Sequence, residues 1–468
     1  MPDNYTIICD DVISALQQYD DGVFRGCFCD PPYGLTDITK DDIVDVLTHW
    51  LLGDAYNGTG GGFMGRSWDS FVPGPNYWSE VYRVLKPGGN LLAFGGARTY
   101  DLLTLALRLA GFEIRDTVYW VHGQGMALGL NIGKAVDSHL GAEREVVGKG
   151  HSGASYNLAG GNDRPWHEDR KNDNGRIEYD ITTPATEQAK IWDGYNTRLK
   201  PAVEPIVWAM KPRDGTFAEN ALKHGVAGIN VDGCRVPTDG RPKREVAQAN
   251  KDVDYSGTSL AGRLDGSLQT NKAVGQTDQG RFPANLIHDG SDEVTQFFPR
   301  TPGQQGRVGP EMGKKDSVNV YGDYGERPEF TPRGDQGSAA RYFYCAKASG
   351  SEKNAGCEDL YWRKDKSSST GFVRITRREW QDLPNNRRAR GNIHPTVKPL
   401  ALTEYLAKLI KPPQGGRLLV PFSGSGSEGK GGIAAGWDRV TLIDVEQAYC
   451  DIADARLGMA IQMKLNFL

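Results

Sequence analysis

The sequence is short of several things at once. Seven cysteines lie scattered among 468 residues, and no CxxC pair is followed by a second at zinc-ribbon spacing. This argues against structural zinc and against a disulfide framework. Positive charge is not in excess: 55 Lys and Arg stand against 59 Asp and Glu, a formal charge of −4. A histone-like polycation is excluded, so any nucleic-acid contact has to come from local patches. No apolar run approaches the ~18 residues that would span a bilayer. The most apolar stretch, Leu102 to Phe112, carries Arg108 in its middle. Met1 to Asp11 lacks the basic and apolar segments of a secretory signal. The expectation is a reduced, cytoplasmic enzyme with no membrane partner.

What abounds is glycine, 59 of 468 residues, nearly twice the usual ~7% and without a collagen period. Such a sequence makes many tight-turning loops. Charged residues at 24% and hydrophobic ones at 38% suit a chain that buries a sizeable core. At ~150 residues per domain the length suggests about three domains, with two also admissible.

The first 120 or so residues alternate strand and helix patterns. Tyr5 to Cys9 and Gly22 to Cys29 are short apolar runs, with a helix-like Val12 to Tyr19 between them. Trp78 to Leu85 has helical spacing and runs into Lys86-Pro87-Gly88-Gly89, read as a stop and turn. Leu91 to Phe94 reads as a buried strand, Tyr100 to Ala110 as a helix, and Glu113 to Val121 as another strand. This alternation predicts a parallel α/β sheet.

From about Gly123 to Tyr195 the pattern dissolves into Gly, Asn, Asp and Ser. It returns at Glu204 to Met210 and is lost again over Asp214 to Ala340. The chain then ends in a β-loop-α-β unit: a helix over Pro399 to Ile410, strands Arg417 to Pro421 and Arg439 to Ile443, and a last helix from Glu446 to Met459. The two ends read as halves of one sheet split by a variable middle. Between them, Arg363 to Arg390 holds roughly nine basic residues against three acidic ones, enough for a phosphate-binding surface.

Three motifs carry chemistry. Pro421-Phe422-Ser423-Gly424-Ser425-Gly426 is a Gly-rich turn between strand and helix that lets backbone amides approach a ligand. Asp444 closes the next strand, placed to accept from ribose hydroxyls. The third glycine is out of register with a dinucleotide fingerprint, so a nucleoside fits better than a pyrophosphate; a plain structural turn is the bland alternative. Asp30-Pro31-Pro32-Tyr33 follows a strand directly. Its prolines remove two amide donors and stiffen the turn. An acid, a fixed carbonyl and an aromatic ring are what holds a planar amino group: Asp30 and the Pro31 carbonyl each accept one N–H, and Tyr33 stacks on the ring. His394-Pro395-Thr396-Val397-Lys398-Pro399 leads into a helix, with Thr396 and Lys398 near its start, where a carboxylate could bind. Asp11, just after the first strand, reads equally as helix cap or as ligand.

Together these motifs resemble the amino-group DNA methyltransferases that use S-adenosylmethionine. With DPPY ahead of the cofactor turn, the order is the circularly permuted one of the beta class. The resemblance extends to Phe63 through Asp69, to Arg83 through Gly89, and to Asn285-Leu286-Ile287-His288. It implies a Rossmann-like α/β methyltransferase fold with a mostly parallel seven-stranded sheet. Glu113 to Val121 and Glu204 to Met210 are the candidates for its antiparallel hairpin, and Gly123 to Tyr195 is an unusually long connection.

On this basis residues 1–213 and 341–468 are the two parts of the catalytic domain, and 214–340 is a loop-rich target-recognition region. The resemblance assigns Asp30, Pro31, Pro32 and Tyr33 to the flipped target base. Phe422, Gly424 and Gly426 line the cofactor, Asp444 takes its ribose, and Asp11 meets its adenine. Thr396 and Lys398 sit at its methionine end. Arg363, Lys364, Lys366, Arg374, Arg377, Arg378, Arg387 and Arg388 are the candidate contacts to double-stranded DNA. Neither a metal nor a cysteine nucleophile is implied.

The implied activity is methylation of adenine N6 in DNA, because the first DPPY position is more often Asp for adenine and Ser for cytosine. Methylation of cytosine N4 is the alternative. Two departures stand out: Val420 replaces an Asp before the Pro-Phe of the cofactor turn, and Ser427-Glu428 replaces two threonines. They keep open a DNA-binding protein that has lost catalysis. Methylation of RNA or of protein glutamine fits the motif order less well. A cognate restriction endonuclease, a homodimer, and a bacterial or phage-infected host are further expectations of the family.

Overall fold

The computed structural model describes residues 4–36, 38–56, 69–123, 125, 129–151, 178–237, 241–244, 273–277, 280–301, 337–346, 352–365 and 367–465. It divides into two compact units. The first comprises Met1–Asn230, Asn285–Ser291 and Ala346–Leu468, and the second Val231–Ala284 and Asp292–Cys345.

The first unit is built on one large sheet. Its strands lie in the order Tyr5–Cys9, Arg439–Asp444, Arg417–Pro421, Phe24–Cys29, Leu85–Phe94, Val203–Met210, Glu113–Val121 and Leu286–His288. The two C-terminal strands thus sit between the first and second strands of the chain, and the two ends make one sheet. The first five strands pair in parallel. Val203–Met210 is antiparallel to both its neighbours, as expected of the hairpin. Leu286–His288 pairs in parallel with Glu113–Val121 and takes the sheet beyond seven strands; only three residues long, it gives too little alternation to read from sequence.

The central strands are apolar on both faces, as parallel strands must be when helices cover each side. Cys27, Phe28, Cys29, Leu91, Leu92, Ala93 and Phe94 are fully buried. Lys86-Pro87-Gly88-Gly89 is not the turn expected. The helix Pro75–Val84 passes directly into the strand Leu85–Phe94, and a register shift between Phe24 and Gly26 absorbs the irregular start. Gly88, at φ 74°, donates to the carbonyls of Lys211 and Pro212. Arg83 ties this helix to the first loop, donating to the carbonyls of Leu16 and Tyr19, each at 2.8 Å.

The connection from Gly123 to Tyr195 contains more than loop. A helix at Ile132–His139 is capped by Asn131, the strands Val146–His151 and Glu178–Thr182 pair antiparallel, and a helix follows at Glu187–Ile191. A polar centre holds these pieces. The fully buried Asp137 accepts from Arg144 at 2.7 Å and from the amides of Ala185 and Thr186 at 3.0 Å. The basic segment also folds: Phe372–Ile375, Tyr361–Lys364 and Arg388–Arg390 form a three-stranded antiparallel sheet. Its Trp362 packs in a cluster with Cys357, Leu360, Tyr449 and Ile452.

Within the second unit, Arg241–Arg244 pairs antiparallel with Ala273–Thr277, and Arg300–Thr301 with Gly337–Ser338. Arg281 lies over the Tyr342 ring at 4.6 Å. Among the described residues, no helix is long and apolar enough to cross a membrane.

Candidate active site

Chain direction across the sheet reverses between Arg417–Pro421 and Phe24–Cys29. From the former the chain crosses to Arg439–Asp444 on one side; from the latter it continues to Leu85–Phe94 on the other. Ligands of open α/β sheets bind in the crevice such a reversal leaves at the carboxyl ends of the strands. A cavity of about 470 Å³ lies there. Asp30 and Tyr33, Phe422 and Gly424, Asp444, and Lys398 are among the residues on its wall.

Asp30-Pro31-Pro32-Tyr33 is held from several directions. The buried Asp69 accepts from the amides of Tyr33 at 2.7 Å and Gly34 at 3.0 Å, and Thr99 Oγ1 donates to the Tyr33 carbonyl. The Tyr33 hydroxyl donates to Asp30 Oδ1 at 2.7 Å and lies 3.1 Å from Glu204 Oε2. Lys398 Nζ donates to Asp30 Oδ2 at 2.7 Å and to the Tyr33 oxygen at 3.1 Å, and stands 3.2 Å from Glu204 Oε2. Burial alone would discharge this lysine, but the Asp30 and Glu204 carboxylates outweigh it and hold its pKa above the usual range. The Tyr33 phenol is pushed up by burial and then by the same two acids, so it stays protonated.

The cofactor-type turn is strained where it meets the cavity. Phe422 adopts φ 56°, a conformation that costs a non-glycine residue energy and tends to mark a functional site. Its ring packs against Tyr77 and Trp78 at 5.9 and 6.1 Å. Gly424, at φ 49°, has no room for a side chain: a Cβ would stand 2.7 Å from His394 Nε2. At Gly426, φ 75°, a Cβ would stand 2.9 Å from Ala453 and Leu457.

Asp444 accepts from the amides of Gly424 at 2.7 Å and Glu446 at 3.0 Å. Burial lifts its carboxyl to about 6 against those two bonds. Beneath the turn, the buried Arg456 donates through Nη1 to the Ser425 carbonyl at 2.6 Å, and to the Ser425 and Ser427 hydroxyls at 2.9 and 3.1 Å. His394 stands edge-on to Tyr449 at 4.5 Å, and burial depresses its pKa to about 4, leaving it neutral.

The structure therefore brings Asp30, Pro31, Pro32, Tyr33, Asp11, Thr396, Lys398, Phe422, Gly424 and Asp444 onto one wall. Both readings of Asp11 hold: it lines the cavity and also caps the helix Val12–Leu16 through the amides of Ile13 and Ser14. Lys398 stands elsewhere than expected. Its ammonium is on the Asp30 carboxylate, because two acids outbid a helix start for a buried cation. Gly426 supports the turn from behind. Val420 is fully buried, pairs with Leu442 in the sheet and is not part of the cavity wall, so the missing Asp leaves no gap there.

Among the basic residues, Arg377, Arg378 and Arg387 are exposed. Arg374 is bound to Asp451 at 2.6 Å, Arg363 to Asp365 at 3.4 Å, and Arg388 lies over the Trp380 ring at 4.9 Å. Lys364 is half-buried. Lys366 and Phe63 through Trp68 lie outside the described residues. Sequence reasoning missed Glu204, which no motif flags, along with Tyr77 and Tyr449. Asp69 ended a quoted run, and Glu428 was visible only as a departure.

An acid-prolyl-prolyl-aromatic turn facing a glycine-rich turn across a parallel-sheet crevice defines a group-transfer enzyme that handles a planar amino group and a nucleoside. The chain belongs to the DNA methylase family of N6/N4 methyltransferases, which matches residues 24–455. Among solved structures it is similar to M1.HpyAVI in complex with SAM, at 13% identity over 97% of this chain and 98% of that one, TM-score 0.35. It is also similar to the PvuII cytosine-N4-specific DNA methyltransferase, at 10% identity over 99% and 93%, TM-score 0.37. A third is TTHA0409, a DNA modification methylase of Thermus thermophilus complexed with S-adenosyl-L-methionine: 11% identity over 98% and 94%, TM-score 0.34. No curated protein matches.

Proposed function

We propose that the protein transfers a methyl group from S-adenosylmethionine to the exocyclic N6 amine of adenine in DNA, as a member of the permuted beta class. The observation that carries this reading is that Asp30-Pro31-Pro32-Tyr33 and the Phe422–Gly424 turn face one cavity at the sheet's switch point.

The cavity residues fit the methyl donor. Gly424 leaves its backbone bare where a side chain would collide with His394, which admits a ligand close to the turn. Asp444 presents a carboxylate to a ribose, Phe422 and Tyr77 offer aromatic surface, and Asp11 stands by for the adenine. When bound, S-adenosylmethionine supplies an electrophilic methyl on a sulfonium centre.

The remaining work falls to the chain's own groups. The target base is paired inside the duplex and has to be flipped out, at a cost of a few kcal/mol. Asp30 and the Pro31 carbonyl accept the two amine N–H groups, which raises electron density on a nitrogen otherwise delocalised into the ring. Tyr33 packs on the base plane. Lys398 keeps Asp30 ionised and fixes its orientation, and Glu204 in turn fixes Lys398. Positioning of this kind supplies much of the acceleration. Exposed Arg377, Arg378 and Arg387 suit contacts to duplex phosphates.

The test is incubation with unmethylated DNA and methyl-labelled S-adenosylmethionine, digestion to nucleosides and identification by mass. Label in N6-methyladenine is expected. Label in N4-methylcytosine would keep the mechanism and overturn the base. No transfer and no cofactor binding would leave a DNA-binding protein without catalysis.

A further inference from the structure

One carboxyl on the cavity wall keeps a buried oxygen with no donor. Asp30 receives Lys398 and the Tyr33 hydroxyl. Asp69 receives two amides, as does Asp444, and Asp11 caps its helix. Glu446 receives the Ser369 hydroxyl at 2.6 Å. Glu428 differs. It is 3% exposed, lines the cavity, and its Oε1 is buried without a partner. The charges nearest to it are Asp30, Lys398 and Arg456. Lys398 is committed to Asp30, Tyr33 and Glu204, and Arg456 Nη1 to the turn serines. A carboxyl oxygen buried without a donor is costly, and such a group in a native wall calls for an explanation, here a ligand group.

The wall as a whole is acidic, with Asp11, Asp30, Asp69, Glu428, Asp444 and Glu446 against the single ammonium of Lys398. It suits a ligand of net positive charge. S-adenosylmethionine has a sulfonium, an ammonium and one carboxylate, a net charge of +1. The proposed ligands bring two N–H-bearing groups near this wall. The base amine has Asp30 and the Pro31 carbonyl at the strand end. Glu428 instead sits in the first turn of the helix Ser427–Ala434, straight after the glycine-rich turn, on the cofactor side.

We infer that the Glu428 carboxylate binds the ammonium group of the methyl donor's amino-acid portion. The inference rests on the S-adenosylmethionine reading above. Calorimetric titration of the unaltered protein and of Glu428→Gln with S-adenosylhomocysteine and with 5′-methylthioadenosine, which lacks the amino-acid portion, tests it. Glu428→Gln is expected to weaken S-adenosylhomocysteine by about tenfold or more, the scale of a lost charge-assisted bond, and to leave 5′-methylthioadenosine within about twofold. Glu428→Thr gives the same comparison should the amide fold poorly.

Equal weakening of both ligands, or of neither, would overturn the inference. Unchanged binding of both with slower methyl transfer would move Glu428 to the base side and overturn it as well. Should the unaltered protein bind neither compound, the methyl-donor reading itself falls and takes this inference with it.

Discussion

Lys398 Nζ stands 2.7 Å from Asp30 Oδ2, joining residues 368 positions apart in a pair whose side chains are 7% and 18% exposed. Tyr33 and Glu204 close the network around it. The proposed base-binding carboxylate is therefore not a free acceptor. It is charged, oriented and partly neutralised before a substrate arrives, which is the preorganisation that makes such a group effective.

Removing the ammonium should expose this dependence. In Lys398→Met, Asp30 and Glu204 face each other without a cation, and one of them takes a proton near neutral pH. Methyl transfer to DNA should fall by about 10²–10³-fold, mostly in kcat, and the rate should gain a dependence on a group titrating above the normal carboxylate range. Unfolding in urea should show a loss of roughly 2–4 kcal/mol, the cost of breaking a largely buried pair. A rate within tenfold of the unaltered protein, with a flat pH profile, would remove Lys398 from the mechanism.

The basic segment separates into two kinds of arginine. Arg377, Arg378 and Arg387 are exposed, while Arg374 is bound to Asp451 and Arg388 lies over Trp380. Alanine at each of the first three should weaken DNA binding alike for all sequences and lower the salt slope by about 1. Arg374→Ala and Arg388→Ala should instead lower the melting temperature and leave the slope unchanged. Binding titrations across salt concentrations would show it, and an unchanged slope for the exposed three would place the DNA elsewhere.

Gly424→Ala probes the turn. The backbone is left-handed there, and the new methyl would meet His394 Nε2 at 2.7 Å. The combined strain and collision should cost about 1–3 kcal/mol of stability and weaken S-adenosylhomocysteine at least tenfold, because His394 also forms cavity wall. Retained affinity measured by calorimetry would show that the turn does not cradle the ligand.

The parts legible in the sequence are the local ones. Asp30-Pro31-Pro32-Tyr33 and the Pro421–Gly426 turn each hang directly on a strand end, so a strand pattern plus a few residues locates them. Lys398 and Glu204 reach the site through strand order, which brings together segments hundreds of residues apart and leaves no local trace. The helix Ile132–His139 and its neighbouring hairpin escaped because a buried polar group, Asp137 with Arg144 and Thr186, organises them and hydrophobic periodicity cannot report it. The small sheet at Tyr361–Arg390 read only as charge, since its fold turns on the single buried Trp362.

Glu428 predicts a variant that gains stability. Burial lifts its carboxyl to about 7, helped by the nearby Asp30 charge and opposed by Lys398 and Arg456. An unfolded glutamate titrates at ~4.3. Below that value both states hold the proton and the preference fully favours the fold. As pH rises, the unfolded chain releases its proton first, so the contribution is lost progressively until about pH 7. His394, depressed to about 4, slopes the other way: the stability its neutral ring contributes is present above ~6.5 and lost as pH falls toward 4. The total curve mixes the two, and the difference between the unaltered protein and Glu428→Gln isolates the acid. The two proteins should be nearly equal at pH 4.5. By pH 8, without ligand, Glu428→Gln should be the more stable by roughly 3 kcal/mol, at ~1.4 kcal/mol per unit. Urea unfolding at the two pH values measures this. A variant less stable at pH 8 would mean that Glu428 is ionised and paired in the free protein, with no vacant acceptor to offer a ligand.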